Sequence, residues 1–299
     1  NGAKVEFIDK KELKKHSSLI YNATEKALWS PNTCVIDPKS VLKKLGEKLF
    51  DLGIVIELNL NNFKINVEQN YIEIEKKGTV EKLFYGHIFN CCGVHADEIA
   101  RKFNICEDFK ILPFKGLYWK LRSNNHYDFK TNIYPVPDLN VPFLGVHITP
   151  NTKGEIFLGP TAIPAFGKEN YSGLKGFEPL LTVNFLKDLG KQWILNKNGF
   201  RRYAREQALQ GIKPIFLKSA QSLIPSLKNE DLIKSTKVGI RAQLFDKKEG
   251  NLIQDFKLVN YKNSTHVLNA ISPAFTASFS LADLIINSFT ESSKLNELF

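Results

Sequence analysis

The 299-residue chain has no methionine, only four cysteines and no long apolar run, and each shortage excludes something. Lacking methionine and opening on Asn1, it is expected to be a fragment or processed product whose upstream part is missing. Its first ten residues are neither basic-then-apolar nor followed by a small-residue cleavage site, so no signal or transit peptide is expected there. No apolar stretch reaches the ~20 residues of a bilayer-spanning helix; the greasiest, near the C-terminus, is interrupted by Asp283 and Asn287. Cys34, Cys91, Cys92 and Cys106 form no CxxC pair or zinc-like spacing, which makes a reducing cytoplasm the expected compartment. The six histidines form no HExxH pattern, and no metal is expected. No two of the 18 glycines are separated by a single residue, so the GxGxxG dinucleotide fingerprint is absent. Gly154 and Gly159 have P-loop-like spacing but precede Pro160 rather than lysine, and a GxSxG nucleophile elbow is missing too.

What is there resembles ordinary globular protein, with 43% apolar, 11% aromatic and 24% charged residues, enough to build one large core or two modest ones. The net charge is +10, yet only six of the 41 basic residues are arginine. Arginine is the residue suited to bidentate phosphate and base contacts, so no nucleic-acid partner is expected. Scattered lysine pairs such as Lys43-Lys44 and Lys247-Lys248 read as a solvated surface, with a weak attraction to an acidic membrane surface left open.

Asp37 as cap and Pro38 in the first turn predict a helix with Val41, Leu42, Leu45, Leu49 and Leu52 on its apolar face, ended by Gly53. Strands are expected over 54–58, 63–67, 71–75 and 83–89, then a tight turn at 90–93 and a short helix over 97–103. Residues 111–159 read as strands broken by proline, over 116–121, 132–136, 143–149 and 155–158. Residues 179–217 read as largely helical, with a further short helix over 221–227. Strands near 239–245, 256–260 and 266–269 precede a final helix whose apolar face holds Ala277, Leu281, Leu284, Ile285 and Phe289.

The segment Asn90-Cys91-Cys92-Gly93-Val94-His95-Ala96-Asp97 resembles the "NCAGLHAD" element of the FAD-dependent, D-amino-acid-oxidase-like oxidoreductases, in particular their L-2-hydroxyglutarate oxidase/dehydrogenase branch. The likeness continues through Pro113-Phe114-Lys115-Gly116, Ile133-Tyr134-Pro135-Val136-Pro137-Asp138, Pro142-Phe143-Leu144-Gly145-Val146-His147 and Leu158-Gly159-Pro160. It ends with Gly239-Ile240-Arg241-Ala242-Gln243 and with Asn269-Ala270-Ile271-Ser272-Pro273-Ala274, which is similar to "NAPSPAATAS". Any one tetrapeptide is weak evidence, but the shared order runs through almost the whole chain.

The resemblance implies an α/β (α+β) fold, a partial FAD-binding α/β domain interleaved with a substrate domain built on a large mixed, mainly antiparallel sheet. Residues 1–32 would lead into the substrate domain, 33–104 form the middle of the FAD-binding domain, 105–228 the substrate-binding domain and 229–299 the C-terminal part of the FAD-binding domain. The family's glycine loop would lie in roughly 125 residues upstream. FAD is the implied cofactor, a 2-hydroxy acid the substrate, and quinone or O2 the electron acceptor. A sibling amino-acid oxidase, or a half that is inactive alone, are the competing expectations.

Each implied site residue has a plainer reading beside it. Leu60, by resemblance alone, meets the adenine through its backbone. Cys92 and Gly93 sit at a strand-to-helix turn that faces the cofactor in the family, or form an ordinary turn. Asn269, Ser272, Pro273, Ala274 and Thr276 would aim helix-start N–H groups at the electron-rich edge of a reduced flavin, or simply cap a helix. Phe275 stands where the family usually has alanine. Arg241, inside an apolar strand, would clamp a carboxylate or else pair with Asp246 or Asp255. His147 is either the base that takes the hydroxyl proton or a hydrogen-bonded core histidine. Tyr134, Gln243 and His266 are further substrate candidates. Lys115 and Leu117 replace the Arg and Glu of the family's "PFRGEYY", and Thr161 replaces an Asn. Lys115, if it meets a distal carboxylate, keeps the charge without the guanidinium fork.

Overall fold

The computed structural model describes residues 2, 4–20, 25–60, 62–76, 78–123, 127–136, 145–196, 200–271 and 273–296. They form strands β1 (Glu6–Asp9), β2 (Lys26–Trp29), β3 (Phe63–Asn66), β4 (Tyr71–Lys76), β5 (Thr79–Phe84), β6 (Ile88–Asn90) and β7 (Phe109–Leu121). Further along are β8 (His147–Pro150), β9 (Ile156–Gly159), β10 (Ile163–Pro164), β11 (Leu232–Asp246), β12 (Asn251–Leu252), β13 (Lys257–Tyr261) and β14 (Ser264–Asn269). The helices are α1 (Lys10–His16), α2 (Pro38–Asp51), α3 (Ala96–Lys102), α4 (Pro179–Leu195), α5 (Phe200–Leu209), α6 (Lys213–Gln221) and α7 (Ser278–Asn296).

The chain divides into two compact units. The first comprises Asn1–Ile54, Lys115–Ala165 and Leu186–Gly239; the second, Val55–Phe114, Phe166–Phe185 and Ile240–Phe299. Their boundaries differ from those drawn on the sequence. Helix α2 falls in the first unit, and residues 166–185 fall in the second, where buried Lys168 is ion-paired to Asp97.

A six-stranded sheet runs in the order β12-β11-β7-β9-β8, with β10 also on β7. In the first unit β9 is antiparallel to both β7 and β8. Two close approaches shape it. A side chain at Gly116 would meet Pro160 at 2.8 Å, and one at Gly159 (φ +135°) would meet the Leu117 carbonyl oxygen at 2.8 Å. Thr161, wholly buried, closes this corner: its hydroxyl accepts the Leu117 N–H at 3.0 Å and its own N–H donates back to the Leu117 carbonyl. The core of this unit is apolar, with Leu121, Val146, Ile148 and Leu158 packed with Phe216 and Ala220 of α6 and with Ile224 and Leu227 beyond it.

The second unit holds the α/β part of the fold. β14 pairs in parallel with β6, through Ser264 to Ile88, Thr265 to Phe89 and His266 to Asn90, and antiparallel with β13. Every β14 residue is buried, as expected of a central strand covered on both faces. Helices α3 and α7 pack against it. A separate antiparallel meander, β3-β4-β5, takes in the strands expected over 63–67 and 71–75 and adds β5; Asn70 (φ +52°) and Gly78 (φ +83°) lie at its turns.

Several sequence expectations are corrected. Residues 54–58 belong to no strand, since no neighbouring strand pairs with them among the described residues, and Val55 and Leu58 are exposed. The strand expected over 83–89 is split by a bend at Gly86 into β5 and β6. Residues 132–136 give a single bridge, Ile133 to Ile148. Residues 222–227 turn rather than coil, with Pro225 breaking the helical pattern. β7 and β11 start well before the expected starts at 116 and 239, and the β1-α1-β2 unit is additional. In α7 Ile285 is buried but Leu284 is exposed. Helix α2 is where the cap placed it: Asp37 accepts from Ser40 N at 3.2 Å and from Ser40 Oγ at 2.6 Å, and Gly53 has φ +74°.

Candidate functional site: a cavity beside the NCCG turn

In the second unit the turn after β6 is built by one asparagine. Asn90, 1% exposed, accepts the Cys92 N–H on Oδ1 at 3.3 Å and donates through Nδ2 to the Ala96 carbonyl at 2.8 Å and to His266 Nδ1 at 3.0 Å. His266 must therefore present a lone pair on Nδ1, which puts its proton on Nε2, facing Ser264 Oγ at 2.9 Å. Burial first, and His87 second, push the His266 pKa down to about 4, so the ring is neutral. The neutral ring holds Asn90, Asn90 holds the turn, and Gly93 accepts φ +54°, a conformation that side chains resist.

Beside this turn lies a cavity of about 890 Å³, lined by Leu60, Phe63, Ile74, Val80 and Ile99 as apolar walls and by Lys64, Cys92, His95, Glu98 and Lys102 among its polar residues. Leu60 and Cys92, 32 positions apart in sequence, thus line one space. Apolar walls suit a flat ring, and the mixed polar lining, Lys64 and Lys102 beside Glu73, Glu75 and Glu98, offers both donors and acceptors to a hydroxyl-bearing group such as the ribose of an adenosine. Asn269, Pro273, Ala274 and Thr276 are not among the lining residues.

A polar cluster that the sequence reading missed anchors the other side of α3. Lys168, 3% exposed in its side chain, donates to Asp97 at 2.6 Å and to Glu98 at 2.8 Å. Asp97 also accepts from Arg101 at 2.9 Å and from Ile111 N at 3.1 Å. Burial raises the Asp97 pKa, but the Lys168 bond and charge, the Ile111 amide and Arg101 outweigh it and leave it below the ordinary carboxylate value. His95 bridges Glu98 and Glu169, at 3.2 Å to each. The motif already contained Asp97; only folding revealed which of 35 lysines it meets.

The other sequence candidates fall as follows. His266, read as a substrate residue, is wholly buried in the core and acts on the turn through Asn90. Asn269 is also fully buried, and its amide is spent on backbone: Oδ1 accepts Leu244 N, and Nδ2 donates to the Ile253 and Asp255 carbonyls. Gln243, 3% exposed, donates to the same Ile253 carbonyl at 2.6 Å. These three are cross-links, and a buried amide so satisfied has little left to offer a ligand. Ser272 lies outside the described residues, as do Pro137–Leu144 of the strand motifs. Pro273, Ala274 and Thr276 form tight turns, with Ala274 N to Ile271 O at 2.8 Å and Thr276 Oγ1 to Pro273 O at 3.0 Å. Helix α7 starts at Ser278, after turns in which the Pro273 carbonyl accepts from the Thr276 hydroxyl and Ala277 N.

Arg241 is half-buried on β11. Its two proposed carboxylate partners serve turns: Asp246 accepts Lys248 N and Glu249 N, and Asp255 accepts Phe256 N. In the first unit, His147 Nδ1–H donates to the Gly145 carbonyl at 3.0 Å, which makes Nε2 the basic nitrogen of the neutral ring. The ring lies 4.7 Å from that of exposed Tyr134, whose hydroxyl pKa is raised by burial of its surroundings. Lys115, in the same unit, has its pKa lowered by desolvation.

Comparison with known proteins agrees with this architecture. Residues 1–287 match the family described as DAO: FAD dependent oxidoreductase. The chain belongs to this family of FAD-dependent oxidoreductases. It is 36% identical over 275 residues to the L-2-hydroxyglutarate dehydrogenase of Indibacter alkaliphilus, covering 89% of this chain and 65% of that protein. It is 34% identical to the mitochondrial L-2-hydroxyglutarate dehydrogenase of Caenorhabditis briggsae, over 87% of this chain and 61% of that one, and 30% identical to the human protein of that name, over 87% and 58%. The chain therefore spans about three fifths of the length of these relatives. Among solved structures, L-α-glycerophosphate oxidase from Mycoplasma pneumoniae with FAD bound gives a TM-score of 0.61 at 17% identity, covering 96% of this chain and 64% of that one. Glycine oxidase from Bacillus cereus gives 0.56 at 14%, covering 96% and 66%. These two show the shared fold.

Proposed function

We propose that this chain is the larger part of an FAD-dependent oxidoreductase that oxidises L-2-hydroxyglutarate, or a close 2-hydroxy acid, to the 2-oxo acid. The observation that carries the reading is the cavity beside the NCCG turn, where Leu60 and Cys92 meet in a chain of this family. In this reading Leu60, Cys92 and Gly93 hold the adenosine side of FAD, with the mixed polar lining near its ribose, and the 269–276 turns present backbone N–H groups toward the flavin. FAD, when bound, supplies a hydride acceptor.

The chain's own residues bind the substrate and move its proton. His147 takes the hydroxyl proton on Nε2, the nitrogen its Gly145 bond leaves basic. Arg241 clamps the α-carboxylate with its planar fork, Lys115 meets the distal carboxylate as a point charge, and Tyr134 orients the substrate beside His147. Electrons pass on to quinone or O2; a quinone acceptor would bring the protein to a membrane surface. Full activity requires the remaining two fifths of the family's length.

Turnover by the complete protein of L-2-hydroxyglutarate, L-malate and amino acids tests the substrate class. L-2-hydroxyglutarate should be preferred, and His147→Asn should lower kcat by roughly 10²–10⁴. Preference for an amino acid would replace this reading with that of an amine oxidase.

A further inference from the structure

The sheet of the first unit has two faces of opposite use. Leu158 and Ile156 of β9 point into the apolar core, together with Ile148 of β8 and Trp119 and Leu121 of β7. Strand alternation therefore turns Phe157 and Gly159 to the other face. His147 is the register partner of Gly159, and a side chain at Gly159 would lie 3.2 Å from the Tyr118 ring. His147, Gly159 and Tyr118 thus stand in a row across β8, β9 and β7, on the face away from the core.

One lysine is set into that face. Lys237 lies on β11, the next strand after β7, with Nζ 4.6 Å from the ring centroid of Tyr118 and 5.0 Å from that of Phe157. The two rings attract the ammonium through their quadrupoles and leave its N–H donors available to an oxygen. Lys120, the register partner of Phe157, is paired with Glu155, whereas among the described residues no carboxylate lies within ion-pair distance of Lys237. Desolvation pulls the Lys237 pKa below the ordinary lysine value, yet the residue remains exposed to an approaching ligand. A partly desolvated cation with no anion beside it carries a free-energy cost that a ligand carboxylate offsets. The strand order puts Lys237 at one end of the row and His147 at the other, about three strand spacings, ~14 Å, apart across the sheet. Side chains reaching inward from both ends leave the space of a short acid, with its hydroxyl end at His147 and its far end at Lys237.

We infer that Lys237 is a specificity-determining residue for the second carboxylate of the substrate: its ammonium, steadied by Tyr118 and Phe157, joins Lys115 on that group and selects dicarboxylic over monocarboxylic 2-hydroxy acids. The inference rests on the proposed function and deepens it by naming the residue that reads the distal end. Binding of an unreactive diacid needs no turnover, so the two can fail separately.

The test is calorimetric titration of the complete protein with glutarate, a diacid that carries no oxidisable hydroxyl, and with pentanoate, which has the same number of carbons and one carboxylate. Wild type should bind glutarate more tightly. Lys237→Met should weaken glutarate by roughly tenfold or more, leave pentanoate unchanged, and raise the KM for L-2-hydroxyglutarate with little change in kcat. Lys237→Arg, which keeps the charge and the ring contacts, should retain most of the glutarate affinity. Lys234→Met, an equal charge change on exposed β11 surface, should leave both ligands close to wild type. Circular dichroism of each variant verifies folding. Equal wild-type affinity for the two acids, glutarate binding that Lys237→Met leaves intact, or a loss shared equally by pentanoate would each overturn the inference. Failure to oxidise L-2-hydroxyglutarate while the glutarate contrast persists would overturn the substrate reading and support the role of Lys237.

Discussion

The two compact units solve the same problem, holding functional groups in place, by different physics. The first packs its sheet on an apolar core of Phe216, Ile148, Leu158 and their neighbours, and carries His147, Tyr134 and Lys115 at its half-exposed margin. The second is held by buried polar cross-links: Asn90 to His266 at the NCCG turn, Lys168 to Asp97 on α3, and Asn269 to three backbone groups. Apolar packing tolerates variation of shape, whereas a buried charge or amide demands one partner at one distance. The NCCG turn is held by the second kind of constraint, whose bonds are directional.

The contrast is broken most strongly at Lys168. Lys168→Met removes the buried cation from Asp97 Oδ1, leaving only Arg101 and the Ile111 amide on its other oxygen, and should cost about 3 kcal/mol or more in denaturant unfolding, more than a surface ion pair could. In the first unit Phe216→Ala, at a wholly buried ring, should cost about 3–4 kcal/mol by the cavity it leaves, and should do so equally at pH 5 and pH 7.

The polar unit, by contrast, should be sensitive to acid. His266 titrates near 4 in the fold against about 6.5 unfolded, so protonation favours unfolding. Its stabilisation is complete above pH 6.5 and is lost as the pH falls toward 4, by roughly 3 kcal/mol in total. His266→Gln should flatten the stability profile over that window. A profile as steep as wild type would show that His266 is not the group responsible. Asp97, held below the ordinary carboxylate value, adds its own loss only at lower pH. The smallest effect belongs to Thr161→Val, which removes the acceptor of the Leu117 amide and should cost about 1–2 kcal/mol, measured as a shift in the unfolding midpoint.

The candidate site was legible where backbone conformation is written in residue type. Asp37-Pro38 announced α2, Gly93 announced a turn at positive φ, and the ordered motifs announced the family. What the sequence left unread was the partner of each side chain. Asn269, Gln243 and His266 are the polar residues a motif reading singles out as ligand contacts, yet the fold uses them as internal cross-links. Sequence does not distinguish a polar group aimed at a ligand from one satisfied inside, because both arise from the same residue types in the same strands.

The sequence by itself determined the class of fold, the cofactor family and the absence of a glycine-loop fingerprint from this chain, since each depends on local pattern: strand and helix periodicity, capping residues and glycine spacing. Tertiary structure alone decided that Lys168 meets Asp97, that Leu60 and Cys92 line one cavity, and that Lys237 lies against Tyr118 and Phe157. Those are pairings across long sequence separations or matters of exposure, and burial, charge partnership and shared surface come into existence only when the chain is folded.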